Sequence, residues 1–280
     1  MPSVNQAMEV ACNILLAAGM PFREIELHDL HAKPSADVAR AQEVMRARAG
    51  SRRRPLKPFK FLDPFGEDES HLLPARDDEV LRLAGRTLTC PLTVLVGETG
   101  VGKTSLVAAG VLPWLREHGY EGVLARCFDD PTLSLLQAVR ARLGERDRAE
   151  SGDAAQLGAA AQELAQRSSS PVLLVLDQSQ ELFTRLGSRT RLEFAKDLAG
   201  LLSLPGEPVH VLLVVQREFF VNLSELLPEL PTLFHEVVEL RRLNRDQCET
   251  VVRRSLGRFR LYFDQLVTSH LIDDLASAAC

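Results

Sequence analysis

Gly97-Glu98-Thr99-Gly100-Val101-Gly102-Lys103-Thr104 sets glycines, a lysine and a hydroxyl residue at the spacing G-x-x-x-x-G-K-[ST]. An apolar run, Leu92 to Val96, leads into it, and a helical pattern begins at Thr104. A strand that delivers a glycine loop onto a helix N-terminus points successive backbone N–H groups and the positive end of the helix dipole at one spot. Polyphosphate charge is stabilised there. Gly97, Gly100 and Gly102 let the backbone bend around and touch phosphate, Lys103 would reach the β/γ-phosphates, and the Thr104 hydroxyl would ligate Mg²⁺. The candidate nucleotide-binding residues are therefore Gly97, Glu98, Thr99, Gly100, Val101, Gly102, Lys103, Thr104 and, continuing the loop, Ser105.

A second element completes such a site. Val172 to Leu176 is an apolar strand ending in Asp177, which puts a carboxylate at the carboxyl end of a strand, where open α/β sheets bind ligands. Asp177 would hold Mg²⁺ together with Thr104; the alternative is a cap on the following helix. Glu181 lies four residues on, and helical spacing from Asp177 would set it one turn away on the same face as a candidate catalytic base. The alternative is an exposed helix glutamate. After a fourth strand, Val211 to Val215, comes Arg217, a candidate reader of the γ-phosphate, because a guanidinium fork distinguishes tri- from diphosphate by an added contact. Its alternative is a surface ion pair with Glu218 or Glu225. Asp177 does not itself open a D-x-x-G, since the element reads Asp177-Gln178-Ser179-Gln180; no N-K-x-D occurs, and no arginine-rich lid is evident late in the chain. ATP is the expected nucleotide.

The elements that must position these groups read as α/β. Strand-like runs at Leu92–Val96, Gly122–Cys127, Val172–Leu176, Val209–Val215 and Glu236–Leu240 alternate with helical stretches such as Ala154 to Gln166. That order predicts a parallel five-stranded sheet flanked by helices, with one strand inserted between the loop and Asp177, as in some P-loop ATPases. Residues 1–50 read as a helical appendage of two amphipathic helices, and 51–58 as a basic, Pro-rich linker. The P-loop NTPase domain is expected over 59–240, and 241–280 as the start of a short, incomplete helical subdomain with helices at Asn244–Leu256 and Gln265–Leu275.

Composition sets bounds on partners. The 280 residues are 45% hydrophobic and 25% charged, with a net charge of −5, so no nucleic-acid partner is expected. Five scattered cysteines form no C-x-x-C pair and suggest a reducing, cytoplasmic setting. No apolar stretch reaches membrane-spanning length.

Several segments together resemble a known family. Pro58 to Phe65, the loop Gly97 to Ser105 continuing to Pro113, Leu174 to Gln178 through Glu181-Leu182-Phe183, and Val215-Gln216-Arg217 with Phe219 look like the novel STAND-type NTPase domain of bacterial multidomain signalling and defence proteins. The resemblance covers about residues 58 to 275. It implies an ATP-binding switch whose nucleotide state controls opening and homo-oligomerisation and couples a sensor module to an effector module. It also implies an adenine-side contact from Arg76, in a Gly-Arg-Glu position that here reads Ala75-Arg76-Asp77. One of two acidic positions in the family's Asp-Gln-Phe-Glu-Glu element is here Gln180. This leaves two other readings open: an ATPase motor of the AAA+ kind, and a nucleotide-bound scaffold without turnover that recruits a protein partner.

Overall fold

The computed structural model describes residues 64–66, 73, 75–145, 152–205, 208–258, 268–269 and 272–273. The helices expected over 1–50 and the 51–58 linker lie outside the described residues, as does most of the helix expected at 265–275. An α/β unit spans Phe65–Arg242, and a second unit takes in the residues from Leu243 onward.

Each apolar run of the α/β unit becomes a strand: β1 Leu92–Gly97, β2 Glu121–Arg126, β3 Val172–Asp177, β4 Val209–Gln216 and β5 Val237–Glu239. Their order is β2-β3-β4-β1-β5, with every neighbouring pair parallel. The three central strands are buried almost throughout while the edge strands are only partly buried, because helices cover both faces of the sheet and leave the centre no solvated side on which polar residues could alternate.

Side chains divide by parity. Val94, Val96, Leu174, Leu176, Leu213 and Val215 turn to one face, where α3 (Pro131–Leu143), α4 (Ala154–Ser168) and α6 (Ser188–Leu202) bring Leu135, Leu136, Leu157, Phe194 and Leu198. Leu95, Leu173, Val175, Leu212 and Val214 turn to the other. There α1 (Asp77–Thr89) contributes Leu83 and Ala84, and α2, which starts at Lys103 and ends at Glu117, contributes Leu106, Leu112 and Leu115. Each fully buried Leu or Phe stabilises by about 1.5–3 kcal/mol.

The start of α3 is fixed by Asp130, whose carboxylate accepts from Leu133 N–H at 2.8 Å, and that of α4 by Asp153, which accepts from Ala155 N–H at 2.8 Å. The unusual element is α2. It begins as Lys103–Ser105, widens into a π-helical stretch over Leu106–Val111 and returns to α geometry over Leu112–Glu117. Pro113 accounts for this: in an unbroken α-helix its ring would strike the Ala109 carbonyl. The wider turn, in which Leu112 N–H reaches back to Val107 O, removes that clash. A further short helix, α5, runs Glu181–Arg185.

In the second unit, α7 spans Arg245–Arg258. Asn244 starts it with reciprocal bonds: Gln247 N–H donates to Asn244 Oδ1 at 2.8 Å and Asn244 N–H to Gln247 Oε1 at 3.0 Å. This is a capping box.

Candidate nucleotide-binding site

The loop leaves β1 at a residue that has to be glycine. A Cβ on Gly97 would stand 2.6 Å from Leu240 O and 3.1 Å from Val101 Cγ1. Gly100 and Gly102 have φ of +79° and +96°, which side-chain-bearing residues adopt only with strain. The backbone then enters α2, with Leu106 N–H donating to Gly102 O at 2.8 Å. Over this cradle lies Lys103, whose Nζ donates to Gly97 O at 2.7 Å and Glu98 O at 2.8 Å. Burial lowers the Lys103 pKa, against the opposing pull of Asp177, Glu218 and Glu98. Ser105 Oγ accepts from Phe65 N–H at 3.1 Å, tying the segment ahead of α1 to this helix.

Thr104 and Asp177 meet. The Thr104 hydroxyl donates to Asp177 Oδ2 at 2.8 Å, and Asp177 is only 2% exposed. Burial raises its pKa, while the Thr104 bond, the Gln178 N–H and the charges of Arg126 and Lys103 act to lower it. A hydroxyl and a carboxylate form the hard oxygen pair that suits Mg²⁺ when phosphate and water supply the remaining ligands. Among the described residues no cluster of three or more His, Cys, Asp or Glu could hold a metal by itself. Asp177 is also not a helix cap, since α5 starts after Gln180 with no side-chain cap.

The path from Asp177 to Glu181 corrects the expectation of a shared helix face. Asp177 still belongs to the strand ladder, its carbonyl accepting from Cys127 N–H at 2.9 Å. Gln178 then reverses the backbone at φ +58°. Ser179 is fully buried, donating from Oγ to Leu176 O and from N to Val214 O, both at 2.8 Å. These bonds hold residues 178–180 as a turn against the sheet, so helical spacing does not relate the two carboxylates.

Glu181 accepts from Arg185 Nε at 2.5 Å and from the Thr184 hydroxyl at 3.2 Å, and Arg185 also lies 3.6 Å from Asp129. Its field reaches the Cys127 thiol, which burial, reinforced by Glu181, pushes up to about 12. Glu181 therefore stands towards the β2 end of the sheet edge. Gln180 is buried.

Arg217 sits in a short 3-10 turn after β4 and pairs with Glu239 of β5, not with Glu218 or Glu225. Arg241 shares that carboxylate at 3.1 Å. Arg76 is 6% exposed, with its guanidinium used on the protein itself: Nη1 donates to Glu79 Oε1 at 2.7 Å, and Nη2 to Arg241 O at 2.9 Å and Val101 O at 3.3 Å. An adenine contact from Arg76 would compete with those bonds. Arg242, which no motif singled out, donates from Nε to Glu98 Oε2 at 2.6 Å. The available signal was chemical: an acid inside a phosphate-binding loop calls for a neighbouring cation.

A family model described as novel STAND NTPase 1 matches residues 58–279. No curated protein matches the sequence. Among solved structures, the chain is similar to the ORC2 protein of Aeropyrum pernix in its ADPNP–ADP complexes, at 18% identity and a TM-score of 0.52 over 66% of this chain and 53% of that one. The ADP form of the same protein gives 18% identity and a TM-score of 0.51, with the same coverage of 66% and 53%. The likeness is one of fold, and the match spans about half the length of that protein.

Proposed function

Because the chain belongs to the novel STAND NTPase 1 family, we propose that its α/β unit is an ATP-dependent regulatory switch that hydrolyses slowly and couples a sensor module to an effector module. The observation that carries this reading is the Gly97–Thr104 loop brought against Asp177 by the Thr104 hydrogen bond. In this reading the loop amides and the α2 N-terminus hold the phosphates. Lys103 exchanges its two loop carbonyls for β/γ-phosphate oxygens, a move that its partly buried ammonium favours because phosphate compensates its charge better than carbonyls do. Thr104 and Asp177 would hold Mg²⁺, which would supply positive charge against the negative charge that develops on the phosphates. Glu181 is the proposed base for the attacking water once it leaves Arg185, and Arg217 the proposed γ-phosphate reader once it leaves Glu239. Protein partners and nucleotide-dependent homo-oligomers belong to the same proposal, as does a role in bacterial signalling or defence.

Titration calorimetry with MgATP tests the core of it: wild type binds, and Lys103→Ala does not. Equal affinity in the two proteins refutes the site. A second reading, a nucleotide-bound scaffold without turnover, draws on the Glu181–Arg185 pair and the neutral Gln180. Phosphate release at the background rate with intact ATP binding would favour it.

A further inference from the structure

Glu98 presents a chemical problem, because it is the second residue of a loop read as accepting polyphosphate, and a carboxylate beside phosphate repels it. Arg242 supplies the answer at 2.6 Å. Its hydrogen bond and charge, with smaller contributions from Arg217 and Lys103, hold the Glu98 carboxyl below the usual range. The two other arginines at this edge, Arg217 and Arg241, are both engaged by Glu239.

Arg242 is also the last residue of the α/β unit, and the segment leading to it is fastened to the loop at further points. Leu240 N–H donates to Val96 O at 2.8 Å. Leu240 O packs so closely on Gly97 that a Cβ would come within 2.6 Å. Arg76 bridges Arg241 O and Val101 O.

We propose that Glu98 and Arg242 form a charge-compensating latch: Arg242 is a positioning residue that masks the loop carboxylate and holds the phosphate loop to the exit of β5. The proposal rests on reading the loop as a nucleotide site and names a way of regulating it. Any event that draws residue 242 away unmasks Glu98 and weakens nucleotide binding. By reciprocity, bound nucleotide favours the latched position of residue 242. The penalty grows with the ligand's charge, so triphosphate suffers more than diphosphate.

The test uses the full chain with four sequences: wild type, Arg242→Gln, Glu98→Gln and the double substitution. By calorimetry with ATP and ADP, Arg242→Gln weakens ATP by about three- to tenfold and ADP by about half as much. Glu98→Gln, which deletes the repelling carboxylate and leaves the Arg242 charge in place, binds ATP about two- to fivefold more tightly than wild type, and the double substitution returns to within about twofold of wild type, because no unmasked charge remains. A protein that had merely lost a packing contact would not be rescued in this way. An unaffected Arg242→Gln, or a double substitution as weak as the single one, overturns the latch. Hydrogen exchange of the loop amides without nucleotide gives an independent readout: Arg242→Gln exchanges faster over residues 98–104, and unchanged exchange refutes the holding role. Should wild type bind neither nucleotide, the proposed function fails, and the exchange comparison alone decides the latch.

Discussion

Replacing Asp177 by asparagine should make the nucleotide-free protein more stable and the nucleotide site worse. The carboxylate is 2% exposed, accepts one hydroxyl bond at 2.8 Å, and faces Arg126 from β2 and Lys103 from α2 with no close ion pair among the described residues. Because burial outweighs these attractions, its pKa is raised, and the charge opposes folding at neutral pH. An amide keeps an acceptor for Thr104 and removes the buried charge, at the loss of about 1 kcal/mol of charge assistance to that bond. The net expectation is a gain of about 1 kcal/mol, or about 2–4 °C in melting temperature. The sign of the pH dependence follows from the raised pKa. The folded state holds this proton more tightly than the unfolded chain, so its contribution is fully present at low pH and is lost as pH rises through the folded-state value. Asp177→Asn should therefore exceed wild type at pH 7, with the gap closing towards the ordinary carboxylate range. Calorimetric melts across pH 4 to 7 in nucleotide-free buffer measure this, and titration with MgATP should show at least about a tenfold loss of affinity. A variant less stable than wild type at pH 7, or a gap that does not change with pH, refutes the reasoning.

Other expectations concern the loop and its approach. Gly97→Ala should lose about 1–3 kcal/mol in chemical denaturation, because the new methyl meets Leu240 O, and should lose MgATP binding with it. Ala75, at φ +63° before α1, occupies the position where the resembling family has glycine. Ala75→Gly should gain about 1 kcal/mol in denaturant midpoint measurements and leave MgATP affinity unchanged. Glu181→Gln should bind ATP within about twofold of wild type and slow phosphate release by about tenfold or more in a steady-state assay; unchanged release removes Glu181 from the chemistry.

The loop was legible because each of its needs maps to a residue type: glycine where φ is positive or backbone approaches, lysine for charge, threonine for a hydroxyl. The strands were legible because a sheet covered on both faces demands unbroken apolar runs. Strand order was not, since β4 lies between β1 and β3 through crossover packing that no local pattern encodes. The Asp177–Glu181 turn was missed because it depends on the buried Ser179 hydroxyl reaching Leu176 O and its N–H reaching Val214 O on another strand. Arg76 and Arg242 find their partners 165 and 144 residues away, and sequence spacing is silent at that range. The π stretch had one visible trace, Pro113.

The strand interposed between β1 and β3 acts as a ruler. With parallel neighbours about 4.8 Å apart, the strands carrying Gly97 and Asp177 are separated by about two such steps, a span set by main-chain ladder bonds instead of by side-chain volume. Substitutions that thin or swell the apolar layers should therefore change how long the protein survives heating without changing the calibre of the opening between loop and carboxylate. The vulnerable gauge is β4 itself: a proline or a bulge there would disturb the ladder and detune both walls of the site at once, even though neither wall had been altered.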